Sequence, residues 1–281
     1  MNSIELFSHA KINLRLDILG KRPDGYHDIR TVFQKITLGD ELTIAVTTGA
    51  TEVTCDSHQV PHNEGNLAYT AARTLLDRYK IKNGVKIAIR KRIPVAAGLG
   101  GGSSNAAATL IGVNQLFELG LSNEELMETG KEIGADVPFF IFGKSARATG
   151  IGEILEPMKI APPLWLLLIT PDFPISTAWA YGSLRRNLTN RENNIIIRDC
   201  INHFDEVITI LSNDLEKVVI PRYPVIQIIK DELLDKGARG SLMSGSGSTV
   251  FGIFESETEA KEAHTQITKH KSWQIHVSQK A

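Results

Sequence analysis

I-P-V-A-A-G-L-G-G-G-S-S-N-A-A-A-T-L, Ile93 to Leu110, is the stretch from which the rest of the chain is best read. Ahead of it, Val85, Ile87 and Ile89 alternate with Lys86, Ala88 and Arg90, the period of a strand with one face in a core. Pro94 closes that strand, and Gly98, Gly100, Gly101 and Gly102 follow. Glycines let successive backbone N–H groups turn toward one bound group without interference from Cβ atoms. A helix comes next: Ser103 or Ser104 is placed to cap it, and Ala106 to Ala108 propagate it. The N–H groups of its first turn point back into the loop, so strand, loop and helix N-terminus predict an anion site, most often one for phosphate.

Two common glycine motifs fail here. A P-loop needs a lysine after its last glycine, and none is present. The dinucleotide fingerprint would read Gly98, Gly100 and Ser103, with its last glycine replaced, and the acid about 20 residues on, Glu118, is expected inside a helix. A glycine-rich turn without a ligand is the bland alternative, but the glycines weaken the chain entropically unless a bound group offsets that cost.

With 281 residues the chain is long enough for two domains or one large one. Its 31 basic and 32 acidic residues give no reason to expect nucleic acid or an anionic membrane as partner. Cys55 and Cys200 lie far apart in no metal-binding spacing, which predicts a reduced, cytoplasmic setting. M-N-S-I-E-L-F carries an acid where a signal peptide carries lysines, and the apolar run Leu164 to Ile169 is far shorter than a membrane span. His58 and His62 are spaced i, i+4, but Pro61 between them argues against a helical metal site, and no role is assigned to them.

Around the loop, Ile12, Leu14, Leu16 and Ile18 predict a strand with one buried face and Lys11 at its start. Arg22 to Asp28, R-P-D-G-Y-H-D, predicts a turn, followed by two strands over Val32 to Leu38 and Leu42 to Val46. Asn66 opens a helix with an apolar face of Leu67, Ala71, Leu75 and Tyr79. The glycine-loop helix is expected to reach Leu119 with Gly120 after it, and Ser122 with Glu125 to box the next helix. Asp136-Val137-Pro138 opens another apolar segment. A strand over Trp165 to Thr170, helices over Thr177 to Arg186, Asp199 to Leu211 and Pro224 to Lys236, and a polar loop over Asn187 to Asn194 come next. A hairpin interrupted by Ser244 to Ser248, a helix over Glu257 to His270 and a strand over Trp273 to Val277 finish the chain. This mixture predicts an α+β protein of two domains, with the junction near Glu153 to Pro163.

Taken together, H-A-K-I-N-L, R-P-D-G-Y-H, T-V-F-Q, G-L-G-G-G-S-S-N-A-A, G-A-D-V-P-F-F and G-S-L-M-S-G-S-G-S-T-V-F resemble the motifs of the GHMP small-molecule kinases across nearly the whole chain. The pairing of A-K-I-N-L with R-P-D-G-Y-H is similar to the branch that phosphorylates a cytidine diphosphate-linked methylerythritol for isoprenoid synthesis. The resemblance implies a GHMP kinase fold: an N-terminal ATP-binding domain over 1–155, like domain 2 of ribosomal protein S5, and a ferredoxin-like C-terminal domain over 156–281. It also implies ATP as donor, Mg²⁺ accompanying it, the acceptor's 2-hydroxyl as target, and a monomer or weak homodimer.

For the site, the resemblance implies Asp136 as base and Lys11 as the residue that orients the hydroxyl and offsets its charge. Pro94, Ala97, Gly98, Leu99, Gly100, Gly101, Gly102, Ser103 and Ser104 would hold the nucleotide phosphates, and Asn66 and Leu67 the adenine. Tyr26, His27 and Tyr181 would read the cytosine, with Asn13, Thr177, Ser244 and Gly245 as further acceptor contacts. From the residues alone, Asp136 reads as a helix N-cap, Lys11 as a solvated strand end, Tyr181 as core, and Lys91 and Arg92 as a solvated strand end. Another GHMP kinase and a non-catalytic nucleotide- or RNA-binding S5-like module stay as alternatives; R-P-D-G-Y-H opposes the first, Lys11, Asp136 and the near-neutral charge the second.

Overall fold

The computed structural model describes residues 2–184, 198–267 and 273–281. In chain order its elements begin with β1 (Ser3–Lys21), β2 (His27–Thr47), β3 (Glu52–Cys55), α1 (Leu67–Arg78), β4 (Gly84–Arg90), α2 (Gly101–Leu116), α3 (Asn123–Ile133) and α4 (Val137–Phe142). Next come β5 (Ala146–Thr149), β6 (Ile154–Pro157), β7 (Lys159–Ile160), β8 (Trp165–Thr170), α5 (Thr177–Gly182), β9 (Cys200–Ile201), α6 (Phe204–Ile210), β10 (Ser212–Asn213) and α7 (Glu216–Arg222). The last are α8 (Val225–Asp235), β11 (Gly240–Met243), β12 (Val250–Phe254), α9 (Glu257–Ile267) and β13 (Gln274–Gln279). They form two compact units, one of Met1–Ala10, Leu38–Val95 and Gly100–Gly143, the other of Lys11–Thr37, Ala96–Leu99 and Lys144–Ala281.

In the first unit β2 pairs antiparallel with β4, Ile44 opposite Ile87, and β3 runs parallel to β4. Val85, Ile87 and Ile89 are buried while Lys86, Ala88 and Arg90 are exposed, the alternation expected of them. Helices α1 and α2 pack on each other, and α4 packs on both α2 and α3. The face of α1 is Ala68, Ala71, Ala72, Leu75 and Leu76 rather than the predicted row spaced by four. A 3.6-residue turn drifts off such a row, and Tyr79 ends exposed. Ser122 and Glu125 form the capping box in both directions.

Further expectations about element bounds and caps fail in this unit. Helix α2 is capped by Gly100 in the left-handed region, so Ser103 and Ser104 lie inside its first turn and cap nothing. It stops at Leu116, and Glu118, at φ +50°, lies beyond its end. The strands predicted on either side of Gly39-Asp40 are one unbroken β2, because Gly39 serves a close approach: a Cβ there would fall 2.4 Å from the Phe7 ring.

The second unit holds a four-stranded antiparallel sheet in the order β11-β12-β8-β13. Leu167, Ile169, Val250 and Phe254 from it join Ile226, Ile229 and Leu233 of α8, Ala260, Ala263 and Ile267 of α9, and Leu16 and Ile18 of β1 in one core. Each buried Leu, Ile, Val or Phe among them contributes about 1.5–3 kcal/mol by leaving water. Strand β1 pairs parallel with β10, Arg15 opposite Ser212, and β2 pairs with β5 through Thr31, Val32 and Phe33. From Ala10 to Ile18 β1 is buried on both faces, not one, and Lys11 lies mid-strand rather than at a solvated start.

The helix predicted from Asp199 begins only at Phe204. Cys200 and Ile201 instead pair parallel with Lys159 and Ile160, and Glu206 accepts from the Asn202 and His203 N–H groups to start α6. Helix α5 ends at Gly182; the polar loop Asn187 to Asn194, positions 185–186 and positions 268–270 lie outside the described residues.

Candidate functional site

In the first unit the flanks of the glycine loop are tied to one buried carboxylate. Asp40 Oδ1 accepts from the Arg92 N–H at 2.8 Å and the Ile93 N–H at 2.9 Å. Its Oδ2 accepts from Lys91 Nζ at 2.5 Å and Asn105 Nδ2 at 2.9 Å. Lys91 is therefore a buried member of an ion pair, not the solvated strand end its position suggested, whereas Arg92 reaches Glu41 at half exposure. The ammonium sits beside the start of α2: a Cβ on Gly101 would lie 2.9 Å from Lys91 Nζ and 3.1 Å from Ile93 Cγ2, so a larger residue there would push the lysine aside. Helix N-termini carry partial positive charge, and the Asp40 carboxylate balances the lysine placed against this one.

Ser104 is engaged inward as well. Its hydroxyl donates to the His9 carbonyl at 2.6 Å and accepts from Ser8 Oγ at 2.7 Å, while Asn105 Nδ2 also reaches Ser8 Oγ. Ser103 is half-buried, with its hydroxyl toward Gly134. Asn66 caps α1 through the Ala68 N–H and donates to the Pro61 carbonyl, and Leu67 lies within van der Waals reach of Gly102. Asp136 occupies the N-cap position of α4, as expected, but its side chain makes no capping bond.

In the second unit, Ala96–Leu99 lies against the second glycine turn. Ser244 Oγ donates to the Gly98 carbonyl at 2.9 Å and the Thr249 N–H to the Ala97 carbonyl at 3.2 Å. Gly98 has φ +78°, and a Cβ would fall 2.1 Å from the Ser244 carbonyl oxygen; no other residue fits. Asn213 Nδ2 donates to the carbonyls of Met243 and Gly245, each at 2.8 Å. Ser244 to Thr249 is thus a buried, internally bonded turn.

Lys11 comes to the same place. Its backbone N–H donates to the Leu99 carbonyl at 3.0 Å, its ammonium donates to Asn13 Oδ1 at 2.6 Å, and it lies 4.9 Å from the centre of the Phe33 ring. A Cβ on Gly245 would lie 3.4 Å from Asn13 Oδ1, and Thr177 Oγ1 bonds Ser246 Oγ at 2.9 Å. The structure therefore brings Lys11, Asn13, Gly98, Leu99, Ser244 and Gly245 together. Tyr26 stands exposed on the turn before β2, while the His27 and Tyr181 rings meet at 5.3 Å and 44°. Burial first, then the charge of Lys21, pushes the His27 imidazole below its ordinary pKa, which favours the neutral ring with one donor and one acceptor.

Sequence reasoning missed Asp40, Asn105, Thr31 and Asn213. The motif S-S-N contains Asn105 and T-V-F-Q contains Thr31, but their partners are distant in sequence. Among the described residues no group of three or more His, Cys, Asp or Glu is arranged to hold a metal ion, and no helix is long and apolar enough to cross a membrane.

Residues 66–144 match the model for the GHMP kinases N terminal domain, and residues 196–272 that for GHMP kinases C terminal. The chain is 53% identical over 274 residues to a 4-diphosphocytidyl-2-C-methyl-D-erythritol kinase of Geobacter metallireducens, covering 97% of each. Among solved structures, a crystal structure of 4-(cytidine 5'-diphospho)-2C-methyl-D-erythritol kinase is 30% identical with a TM-score of 0.80, over 99% of this chain and 100% of the other. Homoserine kinase from Cytophaga hutchinsonii, at 18% identity and a TM-score of 0.68 over 100% of this chain and 95% of the other, shares the fold.

Proposed function

This chain belongs to the GHMP kinases and, within them, to the 4-diphosphocytidyl-2-C-methyl-D-erythritol kinases, and from that premise we propose how its residues carry out the reaction. It transfers a phosphoryl group from ATP to the 2-hydroxyl of the cytidine diphosphate-linked methylerythritol. The observation that carries this reading is the convergence of Lys11, Asn13 and the second glycine turn on Gly98 and Leu99 of the first. A lysine held beside such a loop offsets the charge that develops in transfer to an alcohol.

Phosphoryl transfer passes through a loose transition state, so the protein positions the partners and neutralises charge. The backbone donors from Gly98 to Gly102 and the first turn of α2 receive the triphosphate, and Asn66 and Leu67 border the adenine. When bound with the nucleotide, Mg²⁺ would supply further neutralisation of phosphate charge. Asp136, whose carboxylate does not cap α4, takes the acceptor's proton. Lys11 orients the hydroxyl and offsets the charge that develops on it. Little nucleophile push is needed, so an ionised aspartate suffices as base.

The cytosine is held by aromatic faces and by a neutral imidazole. The paired His27 and Tyr181 rings and the exposed Tyr26 supply the faces, and His27 offers one donor and one acceptor to the base edge. Thr177 steadies the second glycine turn through Ser246. The two family models fall one within 1–155 and one within 156–281, which supports that division of the sequence into two inherited halves.

The test is a turnover assay with phosphorus NMR of the product. ATP with the cytidine substrate should give a phosphate on the 2-oxygen, and the uridine analogue should be used far more slowly. Equal use of both nucleotides, or phosphate on another hydroxyl, refutes the reading.

A further inference from the structure

Thr31, fully buried on β2, is the anchor of a hydrogen-bonded series that ends on Lys11. The Lys11 ammonium donates to Asn13 Oδ1 at 2.6 Å, Asn13 Nδ2 donates to Thr31 Oγ1 at 2.8 Å, and Thr31 Oγ1 donates to the Arg15 carbonyl at 2.5 Å. The far end sets the direction of the whole series. A carbonyl only accepts, and a hydroxyl has a single hydrogen; once that hydrogen is given to Arg15, Thr31 offers Asn13 nothing but lone pairs. The amide must then turn its NH₂ group to Thr31 and its oxygen to Lys11. Reversed, the NH₂ group would face the ammonium, donor against donor. Lys11, Asn13 and Thr31 are 4%, 2% and 0% exposed, so water would not relieve that conflict.

We propose that Thr31 is a positioning residue for phosphoryl transfer: by fixing which way the Asn13 amide faces, it holds the Lys11 ammonium in its working orientation. This rests on the reading of Lys11 given above. Thr31 is fully buried, so its effect passes through Asn13 and Lys11. The side chains of Lys11, Asn13, Arg15 and Asp17 share one face of β1, and the Arg15 carbonyl that ends the series belongs to the same strand, so the device is built into two neighbouring stretches of backbone.

The experiment compares Thr31→Val and Thr31→Ser with wild type, per mole of enzyme shown to be folded by circular dichroism. Thr31→Val should lower kcat about 10- to 100-fold, as a small misplacement of a reacting group does, with the KM for ATP unchanged. Thr31→Ser, which keeps the hydroxyl, should restore wild-type kcat. In an Asn13→Asp background either side-chain oxygen accepts from Lys11, so adding Thr31→Val should cost nothing further. Wild-type kcat in Thr31→Val, a serine variant as impaired as the valine one, or an undiminished loss in the aspartate background overturns the proposal. Should the valine variant not fold, Thr31→Ala is read by the same outcomes. Lys11→Met, assayed alongside, separates the claims: retained turnover there fells the Lys11 reading itself, whereas loss at Lys11 with none at Thr31 sinks only the positioning role.

Discussion

Two buried polar assemblies serve the loop in opposite ways. In one unit Asp40 gathers four donors onto one carboxylate and ties Lys91, Arg92, Ile93 and Asn105 together. In the other, Thr31, Asn13 and Lys11 form a single file in which each group has its direction set by the one before. A hub tolerates loss of a spoke, whereas a file fails at any link. Stability therefore concentrates at Asp40, and catalytic geometry at the neutral residues behind Lys11.

The contrast is broken most easily at its hub. Asp40→Ala should cost about 3–5 kcal/mol in urea denaturation, because it leaves the Lys91 ammonium and two backbone N–H groups buried without their acceptor. A loss below about 1 kcal/mol would show that the carboxylate is not the hub. Gly98→Ala comes next: at φ +78° and with its Cβ driven against the Ser244 carbonyl, it should lose about 1–3 kcal/mol from conformation alone, together with most turnover.

Asn105→Ala removes one spoke and should cost only about 1 kcal/mol, since Asp40 keeps three donors. A loss equal to that of Asp40→Ala would turn the hub into a second file. The smallest effect lies away from both assemblies, at His276 on β13. Burial first, then His264, lowers its pKa below the ordinary 6.5, and its Nε2 is buried without a hydrogen-bond partner. A lowered folded pKa means stability that is present above pH 6.5 and lost as pH falls from there toward the folded value. His276→Gln should flatten the fall of Tm with pH in that window; an unchanged slope would place the acid sensitivity elsewhere.

What the sequence disclosed was local. The alternation of Val85 to Arg90, the Ser122 to Glu125 box and the hairpin around Ser244 to Ser248 are written in neighbouring residues, and all appear as read. Gly98 announced a loop with its backbone N–H groups turned inward, but not that it is left-handed or that the Ser244 carbonyl is what makes glycine obligatory. Asp40 was illegible because its partners lie about fifty to sixty-five residues away and Gly-Asp reads locally as a turn. The polar face of β1 was misread because alternation of apolar residues implies a wet opposite face, and here that face is buried among hydrogen bonds. At Asp199 to Leu211 pairing of Cys200 and Ile201 with a distant strand overrode a helical period.

If Asp136 takes the acceptor's proton while Lys11 orients the hydroxyl, Asp136→Asn should be slow in a single turnover of phosphoryl transfer. With the variant folded and binding ATP as wild type does, the rate of the chemical step should fall at least about 100-fold. A single-turnover rate equal to wild type in that folded, ATP-binding variant would show that Asp136 is not the base.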